Sequence, residues 1–270
     1  MTTTRPEFAR PPLVEQAITL TFERLPNFSI GDFGRYWVGI ADEFSDCGSQ
    51  PTREQVIEQF DTLSVPRIEF RLLPADAIPR AVYSGSDGHE QIQVQPDQFT
   101  FTWVAGDGQP YPRSSTLVAR FKKLFAGFAE YVLVHKLGLI QIVQCEIVYV
   151  NIVAVSDFGS DFSDAHRFFK LPVPASSVSG LNLESHVLQA QYTMSDEADQ
   201  PYGRLRQTLT PVVRIDDNVK AYRFELAARG QPKSTNLTDA LAFFERARDA
   251  INATFVDATT TEAHLFWGLQ

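Results

Sequence analysis

The stretch from about Ser114 to Leu137 constrains the fold more than any other. Leu117, Phe121, Leu124, Phe125, Phe128 and Val132 recur at helical spacing, Arg120, Lys122, Lys123 and Glu130 fall off that stripe, and Gly138 supplies a C-terminal stop. A long helix with so broad an apolar face cannot bury it alone and needs a sheet to lie on. The flanking segments supply one. In SGSDGHEQIQVQPDQFTFTWV, Asp87-Gly88 and Pro96-Asp97 are turn signals, and Ile92 and Val94, then Phe99, Phe101 and Trp103, alternate at period two. That pattern predicts an antiparallel meander. On the other side, IQIVQCEIVYVNIV reads as a strand, with Cys145, Ile147, Tyr149, Asn151 and Val153 sharing one face.

The rest of the chain continues the alternation. LVEQAITLTF, Leu13 to Phe22, predicts a strand after the Pro11-Pro12 brake, and Phe33, Tyr36, Trp37 and Ile40 predict a helix in GDFGRYWVGIADEF. Thr52 followed by Gln55 is a capping-box pattern that predicts a short helix from Thr52, and Ile68, Phe70 and Leu72 predict a strand in RIEFRLL. Three further strand-like segments, SHVLQAQYTM, RLRQTLTPVVRI and KAYRFELAAR, precede a second amphipathic helix carrying Leu237, Leu241, Phe244, Ala247, Ile251 and Phe255. His264, Phe266 and Trp267 then read as a tail docked on the core.

The fold class that follows is α+β: a large, mainly antiparallel twisted sheet with two long amphipathic helices packed on one face. Residues 1–12 form an N-terminal arm and 13–270 one domain, with 259–270 as the docking tail. Two similar strand-strand-helix halves, 13–155 and 180–258, are left open as an internal repeat. Phe99, Phe101 and Trp103 superpose on Tyr222, Phe224 and Leu226, and Phe121, Phe128 and Val132 on Phe244, Ile251 and Phe255. Shared physics explains this as well as duplication does. On the repeat hypothesis the second half lacks a strand after its helix, and the Leu13–Phe22 strand would fill the gap by pairing with a strand of the C-terminal half.

Several motifs fall in an order that resembles a sporadically distributed family of uncharacterised bacterial proteins of similar length. They are QVQPDQFTFTW, YPR at 111–113, the helix with Phe121 and Phe128, QCEIVYVNIV, GRL at 203–205, AINATF, and the closing TTTEAHLFWG. The resemblance spans nearly the whole chain and implies a bacterial, intracellular protein, with no reaction, cofactor or functional residue to carry over. Patchy distribution of that kind implies an association with mobile or defence genes.

Composition narrows the function. With 44% hydrophobic residues among 270, the chain can bury a large core, and 24 basic against 33 acidic residues give a net charge of -9. No Lys/Arg-rich run appears, so nucleic acid is not the expected partner. The start MTTTRPEFARPP has no apolar h-region and no segment approaches about 18 uninterrupted apolar residues, so the expectation is a cytoplasmic protein with no membrane contact. Cys47 and Cys145 stand in unrelated contexts and read as packed or inert thiols, not a disulfide. The triplets at Asn27, Asn236 and Asn252 read as chance glycosylation matches.

No catalytic residue, metal site or cofactor is indicated. Asp157, Asp161, Asp164 and His166 in SDFGSDFSDAH match neither an EF-hand loop nor HExxH, and read as a solvated loop. GDFG at 31–34 and SGSDG at 84–88 lack a strand–GxGxxG–helix context and read as turns. The binding candidates are Trp103, Tyr111, Arg113, Tyr149 and Asn151. Trp103 ends a strand and Tyr111-Pro112-Arg113 lead into the long helix, so two aromatics and a guanidinium converge at a sheet edge. They could stack on a planar group and hold an anion, or could anchor the crossover by packing. Tyr149 and Asn151 share a strand face, where Asn151 either anchors a strand end or contacts a ligand.

The favoured function is a noncatalytic binding or protein-interaction protein, antitoxin-like or defence-associated, with a protein partner or a second copy of itself. The alternative is a small-ligand-binding or hydrolytic protein with a pocket between sheet and helices.

Overall fold

The computed structural model describes residues 7–60, 78–106, 111–170, 178–181, 184–215 and 217–270. The predicted RIEFRLL strand lies outside them.

Among the described residues nine strands form one antiparallel sheet, and helices cover it, which makes the protein α+β. The strands are β1 (Leu13–Phe22), β2 (Asp46–Gln50), β3 (Arg80–Ser84), β4 (Glu90–Gln95), β5 (Gln98–Val104), β6 (Ile142–Ala154), β7 (Leu188–Ser195), β8 (Pro201–Val213) and β9 (Lys220–Gly230). Their spatial order is β2-β3-β4-β5-β1-β6-β9-β8-β7. The helices are α1 (Ile30–Ile40), α2 (Ser114–Val134), α3 (Leu237–Ala258) and α4 (Thr261–Trp267).

The predicted meander is present as β4-β5, turning at Pro96-Asp97, and β3, whose strand was not foreseen, joins it through the turn at Gly88, which sits at φ 73. β1 lies centrally and pairs with β5 on one side and β6 on the other. The expectation that β1 would pair with a C-terminal strand is therefore incorrect. The place beside β9 is taken by β6, which α2 delivers across β1: β5 and β6 both run antiparallel to β1, so they are parallel to each other and need a crossover helix.

Apolar periodicity decides which sheet face carries α2 and α3. Phe99 of β5 meets Phe121, Phe125 and Phe128 of α2 with ring centroids 5.3–6.1 Å apart, Phe224 of β9 meets Phe255 of α3 at 6.0 Å, and Phe121 touches Phe244 at 5.7 Å. All of these rings are buried. Phe243 of α3 packs so close to the sheet that a Cβ at Gly230 would lie 2.6 Å from its ring and 2.2 Å from the Tyr202 carbonyl.

The opposite face is polar. Thr19 and Thr100, 2.9 Å apart, sit between Glu146 and Gln93 in cross-strand register. Over this face runs the segment 52–60, and here the predicted short helix fails: the segment has no regular secondary structure. Its backbone is claimed by the sheet. Arg53 N donates to Gln95 Oε1 at 3.1 Å and Glu58 N to Gln144 Oε1 at 3.2 Å, so tertiary partners replace the intrahelical bonds a capping box would have started. Glu58, whose side chain is 2% exposed, anchors the segment between Arg204 (2.5 Å) and Arg206 (2.7 Å), with Arg229 at 3.8 Å.

Two smaller expectations also shift. GDFG is not a turn but the start of α1, whose N-cap Ser29 and Asp32 form a reciprocal capping box. α2 ends not at Gly138 but with Lys136 in the left-handed region at φ 54, where Leu137 N bonds the Val132 carbonyl at 3.0 Å.

Residues 259–270 do dock. Trp267 is buried, and the arm residues Ala9 and Arg10 donate backbone bonds of 3.0 and 2.9 Å to Gly268 and Trp267.

Candidate functional site

A cavity of about 900 Å³ opens at the end of the sheet where β1 begins and β5 ends, roofed by the start of α2 and the middle of α3 and walled by the arm from Glu7 to Leu13. Trp103, Tyr111, Arg113, Tyr149 and Asn151 all line it. Residues drawn from two distant segments of sequence thus share one concavity of ligand-holding size.

Strand register explains the convergence. Gln16 of β1 stands opposite both Trp103 of β5 and Tyr149 of β6, so the three side chains form a row across adjacent strands on the helix face. The crossover then brings Tyr111 back over Trp103, with ring centroids 5.3 Å apart and planes at 66°. Gln16 becomes a hub: Tyr111 donates its hydroxyl to Gln16 Oε1 at 2.9 Å, and Gln16 Nε2 reaches Ser114 Oγ at 3.4 Å. Ser114 Oγ lies 2.8 Å from the Tyr149 hydroxyl. Burial pushes the Tyr111 phenol up to about 12, outweighing the opposing hydrogen bonds with Ser114 and Tyr149, so it remains a donor.

Asn151 both anchors and lines. Its Nδ2 donates to the Phe224 carbonyl at 3.1 Å, and it faces Leu13 where a register shift interrupts β1 between Leu13 and Glu15. Arg113 is largely solvent-exposed and pairs with Glu7 at 3.5 Å, which ties the arm to the start of α2.

Sequence reasoning missed Gln16, Ser114 and Arg248. Arg248 of α3 is only 4% exposed and lines the cavity; its Nη2 donates to Glu245 Oε2 at 2.6 Å, while its Nε is buried with no partner among the described residues. The signal was present: Arg248 falls in the seam Leu237, Leu241, Phe244, Ile251, Phe255, at a position where an apolar residue would keep the spacing.

Electrostatically the cavity opposes the rest of the molecule. Three arginines, Arg10, Arg113 and Arg248, and one glutamate, Glu7, line it, in a chain of net charge -9. Its described lining holds no His, Cys, Asp or Lys. No nucleophile–base pair or metal-ligand group is therefore assembled there, and no cluster of three metal-ligating side chains occurs among the described residues. Cys145 lies deep in the core, its thiol pushed up by burial, and Cys47 is exposed; both are free. The aspartates of SDFGSDFSDAH cap a short 3₁₀ turn, Asp161 accepting from Phe162 N at 2.8 Å and Asp164 from Ser160 N at 2.8 Å.

A second cavity of about 360 Å³ lies on the polar face beneath the 53–56 segment. Its arginines and glutamates are balanced, and Arg229 and Arg223 are paired at 2.5 Å with Glu146 and Glu225.

No protein-family model and no curated protein matches the chain. No helix among the described residues is long and apolar enough to cross a membrane. The site is therefore read from its own chemistry.

Proposed function

We propose that this protein is a noncatalytic small-ligand-binding protein and that its ligand occupies the cavity between the start of α2, the middle of α3 and the arm. One observation carries the reading: a roomy cavity is lined by Tyr111, Ser114 and Tyr149, which Gln16 behind them ties into one hydrogen-bonded chain, and by the buried Arg248, whose Nε has no partner among the described residues. A packing anchor alone would fill such a space with side chains, because a buried donor without a partner costs about 1–3 kcal/mol. The absence of a nucleophile–base pair in the described lining favours binding over hydrolysis. We read the two long helices as one lid on a twisted sheet, with the arm as its movable wall, and the resemblance to uncharacterised bacterial proteins as its family context.

The test is native mass spectrometry of the protein purified from its host. A discrete small-molecule adduct is expected, and it should disappear in Trp103→Ala. Recovery of the bare chain, with no adduct at any activation energy, would count against the cavity as a ligand site.

A protein-interaction role has one observation of its own: among the described residues β2 and β7 are the edge strands, β2 being exposed along its whole length and β7 along most of it. A persistent dimer or a copurified protein in the same spectra would favour that role, acting by strand addition at an edge.

A further inference from the structure

The cavity's lining specifies a ligand class. Resting on the cavity being a ligand site, we propose that its occupant is a small ring-bearing anion, a carboxylate or phosphate joined to a planar group, with the anionic end at Arg248 and the start of α2 and the ring against Trp103 and Tyr111.

The anionic end follows from what is left unmatched. Arg248, 4% exposed, uses Nη2 on Glu245, whose own side chain is half exposed, and lines the cavity together with Arg10 and Arg113. A guanidinium offers donors in a fixed fork that matches an oxyanion, so three of them around one cavity against the single Glu7 of its described lining suit carboxylate or phosphate oxygen. α2 adds to it independently. Its N-cap is Arg113, with no side-chain cap bond, and its first turn carries no acidic residue. The first bonded amide is that of Thr116, to the Arg113 carbonyl at 2.8 Å, so the amides of Ser114 and Ser115, which line the cavity, precede it. The amides of a helix's first turn and the helix dipole both favour an anion at that end. Glu7 is the only acid in the described lining and lies 3.5 Å from exposed Arg113.

The ring end follows from shape. Trp103 and Tyr111 present a perpendicular aromatic pair, and Leu226, Ile251 and Phe255 continue the apolar wall. A cavity of about 900 Å³ exceeds what an inorganic ion needs and suits a drug-sized molecule. The net charge of -9 disfavours extended polyanions, which would meet repulsion beyond the cavity mouth, whereas an anion small enough to lie inside meets the local excess of cations.

The test titrates the full chain with benzoate, phenyl phosphate, benzamide and inorganic phosphate by ligand-observed NMR at low salt. The better of benzoate and phenyl phosphate should bind at least about tenfold more tightly than benzamide and than inorganic phosphate, a difference of about 1.4 kcal/mol. Which of the two wins distinguishes carboxylate from phosphate. Arg248→Gln should abolish most of the preference over benzamide, and Arg248→Lys should restore part of it. Should Arg248→Gln fail to fold by circular dichroism, Arg113→Gln, which alters an exposed side chain, should still lower anion affinity without changing benzamide binding. Equal affinity for benzamide and benzoate would overturn the anion class and leave the cavity reading standing. Failure of every probe to bind, charged and neutral alike, would overturn both.

Discussion

Three elements break their own apolar rhythm at the same level of the molecule. Gln16 interrupts Ile18, Leu20 and Phe22 in β1; Tyr149 and Asn151 interrupt Cys145, Ile147 and Val153 in β6; Arg248 interrupts the seam of α3. Each is buried, so each carries a desolvation cost that its local element does not explain. Tyr149 and Asn151 stand out in the sequence because a strand exposes its period at once, whereas Gln16 and Arg248 look like tolerated irregularities until register and helix packing bring them together. Substituting Gln16→Leu keeps volume but strands the Tyr111 hydroxyl. It should cost about 1–3 kcal/mol in urea unfolding and weaken whatever the cavity binds. Asp32 provides a separate residue-scale prediction. Burial raises its carboxyl, but hydrogen bonds from Ser29, Tyr131 and Arg35 outweigh this and hold it below its ordinary value of 3.8. A depressed folded value means the stabilisation is fully present above pH 3.8 and disappears as pH falls through the lower folded value. The stability gap between wild type and Asp32→Asn should therefore be constant near neutrality and close under acid, as read by denaturant midpoints across pH.

At the scale of elements, period was a good guide wherever one face is apolar. The meander, β6, β8, β9, α2 and α3 all follow from spacing, because burial on one side forces the pattern. The segment 52–60 and β2 were not legible for the same reason reversed. β2 is exposed throughout and has no buried face to imprint a period, and the 52–60 segment is held by side chains of strands far away in sequence. Its anchor is Glu58. Removing a buried carboxylate from among three guanidiniums leaves charge uncompensated, so Glu58→Ala should destabilise by about 3–5 kcal/mol in chemical denaturation. At the other side of the sheet, Gly230→Ala would press a methyl into the Tyr202 carbonyl and the Phe243 ring, and backbone cannot yield as a side-chain tip can. A loss of about 1–3 kcal/mol is expected from overpacking, visible as a lower thermal midpoint, while the distant cavity residues keep their geometry.

At the scale of the whole molecule, the order of strands was the part least available from sequence. Local patterning says that β1 and β6 exist but not that they lie side by side at the centre, since either could satisfy its hydrogen bonds against several partners. That order is what builds the site: with β1 between β5 and β6, Trp103, Gln16 and Tyr149 fall in one row, and the arm preceding β1 emerges beneath α3. The arm is then held by the other end of the chain. Phe8 packs edge-on against Phe255 at 5.5 Å and Trp267 at 6.2 Å, and Arg10 donates to the Phe266 carbonyl at 2.7 Å. The cavity's outer wall therefore depends on α4. Trp267→Ala removes a buried indole from this junction and should cost about 3–5 kcal/mol in global stability. Its more specific consequence is local: backbone amides of Ala9 and Arg10 should lose hydrogen-exchange protection well beyond the change in the β1–β6 pair, because they bond only to Gly268 and Trp267. Equal loss in both places would mean that the arm and the central strands open as one unit, and that the wall cannot move without the sheet.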